Sequence, residues 1–249
     1  MNADIWEQRH DREEEVLSSY SVPCSRLSMA GDVYYIPGYA RHRPAVQCFL
    51  RGEFYEPRTH RFVSLLCAAE EGSLIHAGTF FGDMLPSFSR SVRGVVYAFE
   101  PVLENYVLAK GCINANGLLN VQLHNAALGA DPGNVFINTS GSDGRHAGGA
   151  SRVSSSGEIC TVLTIDSIAS TRVVLIQLDV EGSELAALQG AVRTIGECRP
   201  VVAMEDNSRN CSGFLMSLGY ARLGEMPGLS VWAPDEKTAL KGTVLGILG

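Results

Sequence analysis

Lysine is nearly absent from this 249-residue chain. It occurs only at positions 110, 237 and 241, so arginine carries almost all of the positive charge. The 20 basic residues are outnumbered by 27 acidic ones, and the net charge of −7 argues against a surface built to coat nucleic acid. Cysteine is thinly spread. The seven residues (24, 48, 67, 112, 160, 198 and 211) include no CxxC pair, so zinc ribbons and thioredoxin-type redox motifs have no support. An odd, dispersed set fits the reduced thiols of a cytoplasm better than a disulfide frame. No run reaches the roughly 18 apolar residues of a membrane span. Residues 1–15 are charged and lack the apolar segment of a secretory leader. These absences predict a cytoplasmic chain with no membrane span.

What is present is ordinary for a globular protein: 45% hydrophobic and 19% charged residues, enough for one large core. Residues 1–60, cut by Pro23, Pro37, Gly38, Pro44 and Pro57, read as an N-terminal extension or cap packed on a body formed by residues 61–249, the whole being a single domain. Phe62–Ala69 reads as a helix. Short apolar runs at 74–77, 95–99, 121–124, 173–178 and 201–204 then alternate with helical patterns at 83–91, from 103 onward and at 183–195, the last stopped at Gly196. Strands alternating with helices predict an α/β fold: a Rossmann-like, doubly wound, mostly parallel sheet, closed by a C-terminal antiparallel pair at 220–223 and 229–233. The Ser/Gly-rich segment 138–158 reads as a long loop, either a mobile surface segment or a substrate lid.

The candidate chemistry sits at the strand ends. After the first run comes His76-Ala77-Gly78-Thr79-Phe80-Phe81-Gly82, a glycine turn of G-x-x-x-G spacing that lacks the lysine of a phosphate loop. Glu100, followed by Pro101, ends the second run 22 positions after Gly78, close to the roughly 20 that a ribose-binding acid requires. Its alternative role is a helix N-terminal charge. Asp179-Val180-Glu181-Gly182 follows the fourth run. Asp179 is expected to face the cleft, whereas Glu181 suits a helix cap. Asp179, Asp206 and Asn207 could together offer oxygen ligands to Mg²⁺, and a solvated acidic loop is the alternative. His76, His124, His146 and His60 are each conceivable general bases, and each is equally read as a structural histidine.

The order Gly52-Glu53-Phe54-Tyr55-Glu56, the 76–82 turn, Ala98-Phe99-Glu100-Pro101, Asn125-Ala126-Ala127-Leu128-Gly129, Thr164-Ile165-Asp166-Ser167-Ile168 and Asp179-Val180-Glu181-Gly182-Ser183-Glu184-Leu185 resembles the FkbM family of S-adenosylmethionine-dependent methyltransferases over about residues 50–206. The resemblance implies a class I methyltransferase fold and O-methylation of a small-molecule or glycan hydroxyl. A bacterial sugar or glycoconjugate, such as a fucosyl unit, is the first candidate and a natural-product hydroxyl the second. By position, it places Gly78, Thr79, Phe80 and Gly82 at the methionine end of the cofactor and Glu100 with Pro101 at the ribose. Asn125 and Ala126 fall by the adenine, and Asp179 near the reacting methyl. His76 stands where the family usually has Asp, and Thr79-Phe80 where it has Ala-Asn. A nicotinamide-dependent oxidoreductase and a non-catalytic nucleoside binder are the alternatives from other classes.

Overall fold

The computed structural model describes residues 21–206 and 210–249, so the charged stretch at 1–15 and Asn207 lie outside the described residues. The described chain opens with an antiparallel hairpin, β1 (Cys24–Met29) and β2 (Asp32–Pro37), followed by helices α1 (Pro44–Leu50) and α2 (Pro57–Ala69). Next come β3 (Ser73–Ala77), α3 (Leu85–Ser91), β4 (Val96–Phe99), α4 (Leu103–Asn116) and β5 (Val121–His124). Four short strands follow: β6 (Ala127–Leu128), β7 (Gly133–Asn138), β8 (Arg152–Ser154) and β9 (Glu158–Leu163). The body resumes with α5 (Ile165–Ile168), β10 (Val173–Leu178), α6 (Glu184–Gln189), α7 (Val192–Cys198) and β11 (Val201–Met204). Helix α8 (Asn210–Ser217), β12 (Tyr220–Met226), β13 (Leu229–Pro234) and α9 (Thr238–Leu248) complete it.

The central sheet runs β12-β13-β11-β10-β3-β4-β5. The five strands β11-β10-β3-β4-β5 are parallel, and β13 is antiparallel to both β11 and β12. The four strands β11, β10, β3 and β4 are short and buried throughout, which is why they read as nearly continuous hydrophobic runs, whereas the edge strand β5 is only partly covered. Alternation assigns the faces. Leu74, Val96 and Ala98 pack with Phe62, Leu66 and Phe88 under α2 and α3. Ile75, Tyr97, Phe99 and Ile176 pack with Leu188, Ile195 and Leu215 under α6, α7 and α8. The sheet order reverses at β3, whose neighbours are β4 on one side and β10 on the other. Open α/β sheets bind ligands beyond the carboxyl ends of such strands.

Three features depart from the sequence reading. The 183–195 pattern is two helices, not one. Gly190 lies so close to Gly129 that a Cβ would stand 2.0 Å from its carbonyl oxygen, and this close approach breaks the helix. Gly196 sits inside α7, which ends instead at Cys198 before left-handed Arg199. The 138–158 segment is not a bare loop. It holds β8, a 3-10 turn at Gly148–Ala150 and the first residue of β9, within a second sheet of order β6-β9-β7-β8. Backbone pairing and buried Ala147 and Gly148 hold it, a device its apolar-poor composition does not display.

The N-terminal segment packs through Tyr34, Ile36, Val46 and Phe49 onto Phe80, Phe81, Leu108 and Cys112. Asp32, 6% exposed, receives both ends of the Arg90 guanidinium at 2.8 and 2.7 Å. Asn116 accepts from the Val33 amide and donates to the Val33 carbonyl, so it acts on β2 as a neighbouring strand would. Among the described residues, no helix is long and apolar enough to cross a membrane.

Candidate active site

Parallel register brings Ala77, Phe99, Leu178 and Met204 to the same edge of the sheet. The next residues in the chain, Gly78, Glu100, Asp179 and Glu205, therefore emerge side by side. Their amides donate to the Phe99, His124, Ala77 and Leu178 carbonyls, which prolongs the ladder by one step. Gly78 has φ +92°, and a Cβ there would lie 2.1 Å from the Asp179 carbonyl oxygen, so only glycine lets the ends of β3 and β10 close up.

Two cavities meet at this edge. The first is a narrow slot walled by Phe99, Ala126, Leu128 and Ile137 and lined also by Glu100 and Pro101. The 148–153 segment roofs it. Roof residue Arg152 reaches to 3.9 Å from Glu181. The second, about 990 Å³, lies on the other side of Gly78 and Asp179 and is bordered by Arg43, Tyr55, Glu56, His76, Asp83 and Glu205 among others. Gly78, Gly149, Asp179 and Glu181 line both. Three non-glycine residues of the second wall, Glu56, Phe80 and Glu181, hold left-handed backbones with φ of 48°, 50° and 53°. Such residues cost on the order of 1–3 kcal/mol each and cluster at functional sites.

Glu100 is 3% exposed. Its Oε2 accepts from the Phe80 amide at 2.7 Å, and Oε1 accepts from the Val102 amide at 2.9 Å and Asn105 Nδ2 at 3.2 Å. Burial dominates over these donors and pushes its pKa up to about 7. Two carboxylate oxygens offer about four acceptor positions, so about one is left for a ligand hydroxyl. Asp179 is raised further, to about 8, by burial first and then by Glu205, Glu56, Glu181 and Glu184. The turn after Asp179 is braced by Glu184, whose Oε1 accepts from the Val180 and Gly182 amides. Glu184 thus performs the bracing expected of Glu181, and Glu181 faces the cavities.

His76 lines the second cavity. Its Nδ1 is hydrogen-bonded to Gln177 Oε1, its register partner on β10, and its Nε2 has no partner. Burial lowers its pKa to about 4, so the ring is neutral at pH 7. Phe80 also borders the second cavity, with Gly148 and Gly149 against its ring. Thr79 is fully buried with an unpartnered hydroxyl, and Gly82 packs on Ala109 of α4; neither borders the two cavities. Asn125 is exposed and donates to the Glu100 and Pro101 carbonyls, clamping the chain after β4, while its neighbour Ala126 forms the cavity wall. His60, His124 and His146 border neither cavity. Asp206 lines a different cleft and accepts from Ser212, so the structure does not gather it with Asp179. Among the described residues, no group of three or more His, Cys, Asp or Glu could hold a metal ion.

Pattern reading missed Asn105. It is fully buried, donates to Glu100 and to the Gly148 carbonyl, and accepts from the Tyr39 hydroxyl at 2.7 Å. One side chain thus ties the acid, the roof and the N-terminal segment together. Its only sequence signal is a polar residue in the first turn of a helix that begins just after Glu100.

The residues present fit an adenosyl group. The apolar slot suits a flat base, and the buried acid at its base suits ribose hydroxyls. Among protein families, the methyltransferase FkbM domain matches residues 76–222. Among solved structures, the chain is similar to methyltransferase FkbM from Methylobacillus flagellatus KT at 19% identity and a TM-score of 0.50. The likeness covers 66% of this chain and 43% of that one, so this chain spans less than half the length of that protein. It is also similar to a methyltransferase from Geobacter sulfurreducens at 12% identity and a TM-score of 0.44, over 91% of this chain and 90% of that one. No curated protein matches.

Proposed function

This chain belongs to the methyltransferase FkbM family, and we propose that it moves a methyl group from S-adenosylmethionine to a hydroxyl of a sugar or glycoconjugate, a fucosyl or other deoxysugar unit being one candidate. Membership of that family sets aside the nicotinamide-dependent alternative. The observation that carries the reading is the position of Asp179, on the seam between an apolar slot that holds the buried acid Glu100 and a wider polar cavity.

S-adenosylmethionine supplies a methyl already activated by its sulfonium charge. The protein's task is then to align the acceptor oxygen and take its proton. Glu100 and the Phe99–Leu128 walls hold the nucleoside half, and Gly78 gives passage between the two cavities. Asp179 borders both and receives the hydroxyl proton. Its raised pKa makes it a stronger base than an ordinary aspartate. His76, held neutral with a low pKa, is a weak base and serves instead as a fixed hydrogen-bonding wall. No metal is required by this scheme. Within the N-terminal extension, the described residues act as a cap that shapes the acceptor cavity through Arg43, Tyr55 and Glu56.

Two measurements test this reading. S-adenosylhomocysteine should raise the melting temperature, since a ligand that binds only the folded state stabilises it, and NAD should not. Labelled methyl groups should pass from S-adenosylmethionine to members of a glycan panel, with activity intact in a chelator. A chain that binds the nucleoside and methylates no hydroxyl in the panel would overturn the transferase assignment.

A further inference from the structure

Resting on the reading above, the second cavity specifies its occupant further. Among the described residues, its border carries five carboxylates, Glu56, Asp83, Asp179, Glu181 and Glu205, against a single cation, Arg43. Among the described residues, no side chain donates a hydrogen bond to Asp179, Glu181 or Glu205, and the nearest charge to Glu181 is the largely exposed Arg152 at 3.9 Å. An independent group points the same way. His76 is 2% exposed, and its Nδ1 faces Gln177 Oε1, an oxygen that can only accept. The ring proton therefore lies on Nδ1, and Nε2, itself buried, keeps a lone pair without a partner. Once ionised, these carboxylates can only accept, and a bound cation favours that ionised form, so the cavity wall is matched to a donor-rich, positively charged ligand.

We propose that the acceptor is an amino sugar whose free ammonium group is held by this wall while a hydroxyl on the same sugar reaches Asp179. An ammonium group brings three donors and one positive charge, which answers both the hydrogen-bonding and the charge demand. The one sulfonium charge of the methyl donor leaves most of the five acids uncompensated. Burial and mutual repulsion raise Asp83, Asp179, Glu56 and Glu181 above the usual carboxylate range, as expected of acids crowded together without a cation. A phosphorylated or uronic sugar would meet like charge and be rejected.

Calorimetric titration of the whole chain saturated with S-adenosylhomocysteine tests this with matched probes: free-amine aminoglycosides and glucosamine, their N-acetylated forms, and glucose 6-phosphate. At least one free-amine probe should bind tenfold or more tightly than its N-acetylated form, with the difference shrinking in high salt and in Glu205→Gln. The phosphate should not bind. Equal or tighter binding of the N-acetylated or phosphorylated forms, or no binding of any amine, would overturn the proposal while leaving methyl transfer standing. Failure of S-adenosylhomocysteine itself to bind would overturn both, so the two readings fail separately.

Discussion

Asp179 and Glu100 are both buried strand-end acids with raised pKa values, yet their surroundings give them different work. Glu100 is fixed in place by three N–H donors, which leave about one acceptor position for a ligand; Asp179 receives no side-chain donor among the described residues and borders both cavities. Asp179→Asn should lower kcat by about 10²–10⁴-fold while leaving S-adenosylhomocysteine affinity within a few-fold, as loss of a positioned base does. In the unsubstituted chain, kcat/KM should rise with pH to a plateau with a midpoint near 8, because the base must be ionised to act. The kcat profile should turn at lower pH, since a bound sulfonium favours the carboxylate. An unchanged turnover number in Asp179→Asn, or a pH profile without this midpoint, removes Asp179 from the chemistry. Glu100→Gln should act oppositely. An amide NH₂ facing the Phe80 or Val102 amide loses an acceptor, so affinity for S-adenosylhomocysteine should fall about tenfold or more in a calorimetric titration.

At the scale of elements, the parallel strands β3, β4, β10 and β11 were legible because each is a buried, largely apolar run ended by a turn or a charge, and the edge that carries Gly78, Glu100 and Asp179 followed from them. What the sequence hid depends on partners distant in the chain. Gln177 is one more residue of an apolar strand until register sets it beside His76. Glu56, Asp83 and Glu205 converge only when α2, the turn before α3 and the end of β11 come together. Strand β1 and strand β7 of the small second sheet are at least half exposed and lack a strong apolar pattern, and the break at Gly190 answers a contact with Gly129 that no local pattern encodes. Asn116 illustrates such a tie and gives it a magnitude. Replacing it with Ala leaves the Val33 N–H and C=O without their partner, a loss of about 1–3 kcal/mol for partly buried groups. Urea denaturation of Asn116→Ala should show that loss, and amide exchange should quicken along β2 more than along β10. Uniform exchange in both strands would mean that the hairpin is held by its apolar contacts alone.

For the molecule as a whole, the acid-lined cleft sets a pH dependence of stability whose sign can be worked out. Asp83 and Glu100 titrate at about 7 and Asp179 at about 8 in the folded chain, against 3.8 to 4.5 for the free side chains. Between those limits the folded state holds protons that the unfolded state has released, so stability falls as pH rises through the window. His76 works in the opposite direction. Its folded pKa of about 4 lies below the ordinary 6.5, so the unfolded chain binds the extra proton there and stability rises with pH up to about 6.5. The two effects oppose one another in mildly acidic solution, and above about pH 6.5 the carboxylates titrate without opposition from His76. The melting temperature of the ligand-free chain should therefore decline from about pH 6.5 to about pH 8.5, and Asp179→Asn should flatten the decline because the amide carries no proton to lose. A cation in the cleft should flatten it too, by drawing those protons off at lower pH and compensating the charge they leave. A melting temperature that is level or rising across this interval would mean that the acids release their protons as readily in the folded chain as in the unfolded one, and the raised pKa values of Asp83, Glu100 and Asp179 would be excluded.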